Sequence, residues 1–315
     1  MLVSVIIPVY NAARFVTRAV ESALEQPETS EVILIEDGSP DNTLKVCQEL
    51  AVKYDRVELL RHPNGENRGA GASRNLGMKN ATYEYIAFLD ADDYYLPGRF
   101  SVAKQIFESD PPCEGVYEAI GMHVEDEIGM PRWIQAGKPN KALYTITRNV
   151  EPRELGSILI SGKYGNYHLN GLVLKKDILK KSGYMIESLK LHQDSEFMIR
   201  VAIVARLLAG RLDEPVAMRR VHNENRISEP RSETQKYKER MSFWMNLYYW
   251  SKENSNADIQ GKILNGIVRY SRNHKYFKKF PIRYFPTILV WFVRLLRLVG
   301  YPEVIFDLIK GQKAE

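Results

Sequence analysis

The sequence predicts an α/β fold with a mostly parallel central sheet and helices on both faces, followed by a helical C-terminal extension. Two observations support this prediction. In the first hundred residues, short β-branched runs alternate with segments whose apolar residues recur at helical spacing. Such an alternation requires right-handed crossover connections and therefore parallel strands. After Ser228 only helical spacing remains, so we place a boundary near residue 228.

Each predicted strand is a short apolar run, and the predicted strands are 3–9, 32–35, 57–60, 85–89, 168–174 and 217–221. The first, from Val3 to Val9, is rich in β-branched residues, as expected for a strand buried on both faces. Ligands bind at the carboxyl ends of the strands in parallel sheets. Polar residues that directly follow these strands are therefore the candidates for a functional site.

The predicted helices show apolar residues at helical spacing and are 15–24, 44–54, a short helix ending at 76, 151–160, 194–208, 231–254, 257–274 and 284–299. We expect Asn11 to cap the first helix, because asparagine is a good N-cap. Ser39 followed by Pro40 predicts the start of the second, because serine caps helices and proline fits the first helical position.

The composition of the 315 residues excludes several classes of protein. Hydrophobic residues make up 44% and charged residues 26%, which excludes disordered and collagen-like chains. The net charge of +5 is too small to indicate nucleic-acid binding, and we expect no nucleic-acid partner. Two isolated cysteines, Cys47 and Cys113, and an N-terminus without signal-peptide features predict a reducing, cytoplasmic location. A clean transmembrane helix is not expected, because no run of about 18 apolar residues is free of charge.

The strongest candidate site is Asp90-Ala91-Asp92-Asp93, which directly follows the fourth strand. On an extended segment the side chains of Asp90 and Asp92 would point the same way. Clustered carboxylates suit a hard divalent cation such as Mg or Mn. The alternative is an ordinary acidic turn at the end of a strand.

Two further segments carry polar residues that could bind a ligand. Asp37 follows the second strand, where its carboxylate could accept a hydrogen bond from a nucleobase, or the segment could simply form a helix-capping turn. In the segment 67–75, Gly69 and Gly71 resemble part of a dinucleotide loop, but the third glycine position is Arg74. Arg68 and Arg74 fit better as phosphate or carboxylate partners, or as a solvated helix start.

The second half of the chain contributes two more candidates. Asp194 opens a helix, so it is either a cap or a general base that removes a proton from a substrate. His222 follows the last strand and could reach a metal or a diphosphate, although a lone histidine is usually structural.

Taken together, these segments resemble the family 2 glycosyltransferases of the GT-A fold. The matching segments occur in family order at family-like spacing and are Val5-Ile6-Ile7-Pro8-Val9-Tyr10-Asn11, Glu36-Asp37-Gly38-Ser39, Asn67-Arg68-Gly69 with Ser73-Arg74-Asn75-Leu76-Gly77, and Tyr85 to Asp93. The resemblance covers residues 1 to about 225. It implies a catalytic domain at 1–228, with a nucleotide-binding half at 1–100 and an acceptor half at 101–228, followed by a helical region at 229–315.

The resemblance implies an inverting enzyme that uses a nucleotide-sugar donor, UDP-sugar by default, and a divalent metal, usually Mg or Mn. The residues implied to bind the nucleotide-sugar are Pro8, Tyr10, Asp37, Arg68, Arg74, Asp90 and Ala91. Asp92 and His222 are the expected metal ligands, and Asp194 is the expected catalytic base. The family often has a Glu-Asp pair at the position of the base, where this chain has Gln193-Asp194.

The resemblance also restricts which reactions and which acceptors are expected. The Gln-x-x-Arg-Trp signature of processive synthases is absent near Arg226, which argues for transfer of one sugar per encounter. We expect a saccharide or polyprenyl-linked saccharide acceptor in surface glycan biosynthesis. A sugar-nucleotide pyrophosphorylase would need a glycine-rich loop after the first strand, which is absent here. A catalytically inactive sugar-nucleotide-binding scaffold is the remaining alternative, although both Asp92 and Asp194 are present.

The C-terminal region is basic and apolar. Between Arg272 and Lys313 there are nine Lys or Arg residues against two acidic ones, beside an apolar run at 284–293. This pattern suits the surface of an anionic membrane, and it would place the protein peripherally on the cytoplasmic face. The alternative is a helix that packs on the catalytic domain or on a second copy in a homodimer.

Overall fold

A computed structural model describes residues 1–135, 143–223, 225 and 231–272. The chain divides into two compact units, Met1–Pro230 and Arg231–Glu315. The predicted helix at 284–299 and the basic, apolar C-terminal segment lie outside the described residues.

The strands of the described residues are short and all lie in the first unit: β1 (Val3–Val9), β2 (Thr29–Glu36), β3 (Val57–Arg61), β4 (Tyr85–Phe88), β5 (Tyr94–Tyr95), β6 (Gly115–Tyr117), β7 (Ile120–Val124), β8 (Leu143–Tyr144), β9 (Leu172–Lys175), β10 (Leu207–Ala209) and β11 (Ala217–Val221). The α-helices of the first unit are α1 (Val16–Leu24), α2 (Thr43–Lys53), α3 (Ala70–Asn80), α4 (Ser101–Ser109), α5 (Gly129–Gln135), α6 (Pro152–Ser161), α7 (Leu179–Ser182) and α8 (Gln193–Val204). Those of the second unit are α9 (Glu233–Asn254) and α10 (Ala257–Arg272).

Seven strands form the central sheet in the order β10-β6-β9-β4-β1-β2-β3. Strand β1 pairs in parallel with β2 and β4, and β2 pairs in parallel with β3. Strand β9 is antiparallel to both of its neighbours, β4 and β6. The predicted α/β class with a mostly parallel central sheet is therefore confirmed.

Alternate residues of β1 face opposite sides of the sheet, and helices cover both sides. Val5 and Ile7 belong to the core cluster that contains Val16 and Val20 of α1. On the other face, a Cβ added at Gly77 of α3 would lie 2.5 Å from Cγ2 of Ile6. This period of two explains why the whole strand is apolar, since each face is covered by a helix.

A second sheet has the order β5-β11-β7-β8, and all four of its strands follow β4 in the chain. Strand β11 pairs with β5 in antiparallel fashion, with Met218 opposite Tyr94 and Ala217 opposite Tyr95. Residues that follow Met218 are therefore brought beside the residues that precede Tyr94. This pairing places the end of β11 next to the aspartate segment after β4.

The predictions about helix starts were wrong in two places. Asn11 adopts a positive φ of 51° and does not cap α1, which begins only at Val16. Helix α2 begins at Thr43, not after Ser39. The side chain of Ser39 instead accepts the Asn11 backbone N–H at 3.0 Å, and Thr43 Oγ1 accepts that of Ala12 at 2.9 Å. These hydrogen bonds connect the loop that follows β1 to the loop that follows β2. Both loops carry candidate site residues, so the contacts fix part of the candidate site.

Two predicted boundaries in the second half were also wrong. The predicted strand 168–174 begins only at Leu172, because residues 169–171 form a 3-10 turn. Helix α8 ends at Val204, whereas the prediction extended it to residue 208, and residues 207–209 are strand β10. The second difference arises from the pairing of β10 with β6, which local spacing does not report.

Candidate functional site

The candidate site lies at the carboxyl ends of β1, β2 and β4, three neighbouring parallel strands. Tyr10, Asp37 and the Asp90–Asp93 segment directly follow these strands. The backbone N–H of Asp37 donates to the carbonyl of Val9 at 2.9 Å, so the first two strand ends are joined. The fold thus brings the sequence candidates to one edge of the sheet.

The segment Asp90–Asp93 is a tight turn. The Asp93 N–H donates to the Asp90 carbonyl at 3.0 Å, so the extended geometry expected for Asp90 and Asp92 is wrong. The turn still gathers carboxylates: one oxygen from each of Asp90, Asp92 and Asp93 lies within 4.8 Å of the others. Asp93, which the sequence did not single out as a ligand, is thereby part of the cluster.

Asp92 is held by two residues that follow β11. Its Oδ2 lies 3.1 Å from Nε2 of His222 and accepts a hydrogen bond from Nδ2 of Asn225 at 3.1 Å. His222 is itself fixed, because its N–H donates to Asn225 Oδ1 at 2.8 Å and its ring packs on Phe15. The side chain of Asp92 remains 32% exposed, so it is accessible to a ligand.

Asp93 and Asp90 differ in their electrostatic environment. Burial, followed by the negative charges of Asp92 and Asp90, raises the pKa of Asp93 well above its usual value. Burial also acts to raise the pKa of Asp90, but Arg74, with contributions from His168 and Arg219, outweighs it and lowers that pKa. Arg74 Nη2 donates to Asp90 Oδ1 at 2.5 Å, which accounts for the strongest of these attractions.

This arrangement fits a divalent cation. Both oxygens of Asp93 accept hydrogen bonds, from the Arg220 N–H at 2.8 Å and from Asn170 Nδ2 at 2.6 Å, as a carboxylate would. Three carboxylates in close contact repel one another, and after burial this repulsion is the next cause of the raised pKa of Asp93. A cation beside Asp92 would relieve it, and carboxylate oxygens with one imidazole are a donor set found for divalent metals.

Asp37 is almost fully buried and organises the loop that contains Arg68. Its Oδ1 accepts the Arg68 N–H at 2.7 Å and its Oδ2 accepts the Gly69 N–H at 2.9 Å. These two bonds leave the Arg68 side chain exposed at the site edge. Each carboxylate oxygen has a second lone pair, so accepting one more hydrogen bond is chemically compatible with this loop contact.

The remaining predicted donor-site residues border the same strand ends. Tyr10 is 46% exposed directly beyond β1, and Pro8 is half-buried within that strand. Ala91 is buried, and its methyl group belongs to the core cluster rather than to an open surface. Tyr10 can therefore contact a ligand directly, whereas the buried Ala91 can affect a ligand only through the shape of the aspartate turn.

Asp194 lies in the first turn of α8 and is half-buried. Its Oδ1 accepts the Ser195 N–H at 2.7 Å, and within the described residues its Oδ2 has no hydrogen-bond partner. The neighbouring Gln193 is buried against Gly71 of α3, and its Oε1 has no partner there either. Asp194 and Asp90 both act electrostatically on His168, and both act to raise its pKa.

Asn170 and Asn225 are the residues that sequence reasoning missed. Asn170 is fully buried, accepts the Asp90 N–H at 3.2 Å through Oδ1 and donates to Asp93 through Nδ2. Asn225 donates to Asp92. Neither residue belongs to a recognisable motif, and both act through contacts between distant segments of the chain.

Comparison with known proteins agrees with this geometry. The sequence profile described as "Glycosyl transferase family 2" matches residues 4–156, which include the strand ends and the aspartate turn. The chain belongs to glycosyltransferase family 2. An uncharacterized glycosyltransferase of Rickettsia felis is 30% identical over 230 residues, which are 71% of this chain and 35% of the relative. This family 2 chain therefore spans about a third of that relative's length.

Solved structures share the fold of this family 2 chain at low identity. S. aureus TarS 1-349, solved in complex with UDP-GlcNAc, gives a TM-score of 0.61 at 17% identity and covers 99% of this chain and 92% of that one. The mannosyltransferase PcManGT from Pyrobaculum calidifontis, solved with GDP-Man and Mn2+, gives 0.53 at 16% identity, with coverage of 99% and 79%. These matches support the GT-A architecture.

Proposed function

We propose that this protein is an inverting, metal-dependent glycosyltransferase that moves one sugar from a nucleotide-sugar to a saccharide or lipid-linked saccharide acceptor of a surface glycan. The observation that carries the proposal is the carboxylate cluster of Asp90, Asp92 and Asp93 after β4, with His222 in contact with Asp92. The complexes of TarS with UDP-GlcNAc and of PcManGT with GDP-Man and Mn2+ support a nucleotide-sugar and a metal. UDP is the nucleotide we propose first.

Asp92 and His222 would hold the metal, which we propose to be Mg or Mn, with Asp90 and Asp93 close by. A bound divalent cation stabilises the negative charge that develops on the leaving diphosphate. The protein contributes a preorganised setting for it, because Asn225 already fixes the Asp92 carboxylate and Nε2 of His222 already lies 3.1 Å from Oδ2 of Asp92 before any ligand arrives.

The nucleotide would lie across the ends of β1 and β2. The exposed ring of Tyr10 offers a stacking surface for a base, and Asp37 offers an acceptor for a base N–H. Arg68 would reach the phosphates or ribose, since its backbone is fixed by Asp37 while its guanidinium is exposed. Pro8 and Ala91 would shape the floor, and the Arg74–Asp90 pair would face the ribose or the sugar.

Asp194 would act as the general base. An acceptor hydroxyl becomes a competent nucleophile when its proton is removed as the new glycosidic bond forms. The Ser195 N–H holds Oδ1 of Asp194, while the described residues offer no hydrogen-bond partner to Oδ2. The proton would move to Oδ2, the acceptor oxygen would attack the anomeric carbon, and the bond to the diphosphate would break with inversion.

Two measurements test this proposal without a known acceptor. A thermal-shift panel of UDP, GDP, dTDP and CMP, each with and without Mn2+, should show one nucleotide that stabilises the protein more strongly with the metal. The matching nucleotide-sugars should then be hydrolysed slowly in the absence of acceptor. Stabilisation by a nucleotide-sugar without any turnover would favour the alternative, an inactive sugar-nucleotide-binding scaffold. The absence of stabilisation by every nucleotide would contradict both.

The C-terminal region gives a separate proposal about location. Among the described residues, no helix is both long and apolar enough to cross a membrane. The basic segment 272–313 is proposed from its sequence to bind an anionic membrane surface, with packing in a homodimer as the alternative. The full chain should pellet with anionic vesicles and be released at high salt, whereas a chain shortened to end at Lys275 should not pellet. Equal behaviour of the two chains would instead support packing or dimerisation.

A further inference from the structure

His168 lies beside the aspartate turn, although no motif of the sequence includes it. Strand β9 is antiparallel to β4, with Val173 opposite Ala87, so residues that precede β9 lie beside residues that follow β4. His168 begins the 3-10 turn Leu169–Gly171 that leads into β9. The bonds of Asn170 to the Asp90 N–H and to the Asp93 carboxylate join this turn directly to the cluster.

One ring nitrogen of His168 is already occupied. The Asn170 N–H donates to Nδ1 of His168 at 3.2 Å, so Nδ1 is an acceptor and the proton of the neutral ring is on Nε2. Asn170 is fully buried and held on three other sides by Asp90, Asp93 and Arg99. The orientation of the imidazole is therefore fixed by a rigid neighbour, and within the described residues Nε2 has no hydrogen-bond partner.

Charged groups from four separate segments of the chain act electrostatically on this imidazole. They are Arg219 of β11, Asp90 after β4, Asp194 of α8 and Arg74 of α3. Burial and the positive charge of Arg219 favour the neutral ring, and the pKa of His168 falls to about 4. At neutral pH the ring is consequently uncharged, and its Nε2–H can donate a hydrogen bond.

We propose that the Nε2–H of His168 donates a hydrogen bond to a hydroxyl of the sugar that is transferred, and so helps to position that sugar and to select it. This role rests on the proposed function, because it requires a nucleotide-sugar in the cleft. The chemistry suits a neutral hydroxyl oxygen, because Arg68 and a cation held at the carboxylate cluster would already provide the positive partners for the phosphates. Oriented neutral donors of this kind discriminate strongly between sugars, because a missing hydroxyl leaves a polar group without a partner.

Two substitutions of similar size separate this role from a purely structural one. In His168→Gln the amide nitrogen can reach the position of Nε2, whereas in His168→Asn the shorter amide reaches only that of Nδ1. Both lose the ring, so loss of packing affects both. The probes are UDP and UDP-GlcNAc with Mn2+, or the nucleotide and nucleotide-sugar pair that gives the largest thermal shift with the wild-type protein, measured by titration calorimetry.

We expect His168→Asn to leave the affinity for the free nucleotide unchanged and to weaken binding of the nucleotide-sugar about five- to tenfold, as the loss of one hydrogen bond does. His168→Gln should recover most of that loss. Equal nucleotide-sugar affinities for wild type and His168→Asn would overturn the assignment, and so would an equal loss for nucleotide and nucleotide-sugar. A loss in His168→Gln as large as in His168→Asn would also overturn it. Failure of the wild-type protein to bind any nucleotide-sugar would instead refute the proposed function itself.

Discussion

Nε2 of His222 lies 3.1 Å from Oδ2 of Asp92, although 130 residues separate them in the chain. The antiparallel pairing of β11 with β5 produces this contact, because it sets Met218 opposite Tyr94 and so carries the next residues toward the aspartate turn. The Arg220 N–H reaches Asp93 by the same pairing. A small second sheet thus completes a site that the central sheet begins.

The first prediction concerns the base. Asp194→Asn keeps the size and the Ser195 contact but cannot accept a proton, so transfer should slow by at least about 100-fold. Nucleotide-sugar affinity should hardly change, because the proposed role of Asp194 is to act on the acceptor. Steady-state kinetics with calorimetry of the donor check both statements. Transfer at nearly the wild-type rate would assign the base to another residue.

The second prediction concerns Gly129, which packs against the backbone of His222. A Cβ at this position would lie 2.7 Å from Cα of His222 and 2.8 Å from the carbonyl oxygen of Val221. Backbone atoms cannot rotate away, so Gly129→Ala should displace His222 and reduce the Mn2+-dependent part of nucleotide affinity by about tenfold or more. Gly261→Ala is the control, because a Cβ there meets nothing within 4 Å. Unchanged Mn2+ dependence in Gly129→Ala would show that the position of His222 is not critical.

The third prediction concerns the ion pair that supports Asn170. Arg99 and Glu118 are fully buried, with Nη1 of Arg99 2.8 Å from Oε2 of Glu118, and Nε of Arg99 donates to the Asn170 carbonyl. Arg99→Met leaves a buried carboxylate without its main partner, so the free energy of unfolding should fall by about 3–5 kcal/mol in urea denaturation. Adding Glu118→Leu should restore part of this loss. A decrease below about 1 kcal/mol would mean that Arg211, 3.6 Å from Glu118, compensates for the missing charge.

Much of this architecture could be predicted from the sequence, because apolar spacing reports local structure. The run from Val3 to Val9 and the aspartates after β4 were both identified, since strand ends and their polar neighbours are local features. The role of Ser39 was mistaken because a side chain that can cap a helix can also join two loops, and that of Asn11 because its positive φ is not visible in the sequence. Asn170 and Asn225 could not be found at all, since their partners lie on distant segments.

The fourth prediction concerns the response of His168 to pH in the ligand-free protein. Its pKa is lowered from 6.5 to about 4 by burial and by Arg219, partly opposed by Asp90 and Asp194, with Arg74 lowering it further. In the unfolded chain, His168 therefore binds a proton below pH 6.5, whereas in the folded protein it binds one only below about pH 4. The contribution of His168 to stability is complete above pH 6.5 and is lost as the pH falls toward 4.

Urea denaturation at pH 7 and pH 5 checks the predicted loss of stability at the lower pH. The wild-type protein should lose more free energy of unfolding between the two values than His168→Gln, which has no titrating group at this position. Direct titration of the ring protons by NMR gives the pKa itself. A measured pKa at or above 6.5 would mean that the imidazole is not enclosed as the structure shows.

The most direct test of the site is the dependence of nucleotide affinity on metal in Asp92→Ala. The Asp92 side chain is partly exposed at a strand end, so the variant should fold normally, and Asp55→Ala provides an exposed aspartate as a matched control. Calorimetry with UDP, or with the preferred nucleotide of the thermal-shift panel, should show at least about tenfold tighter binding with Mn2+ for wild type and Asp55→Ala. Asp92→Ala should bind with the same affinity in the presence and absence of Mn2+. Full Mn2+ enhancement in Asp92→Ala would contradict the account.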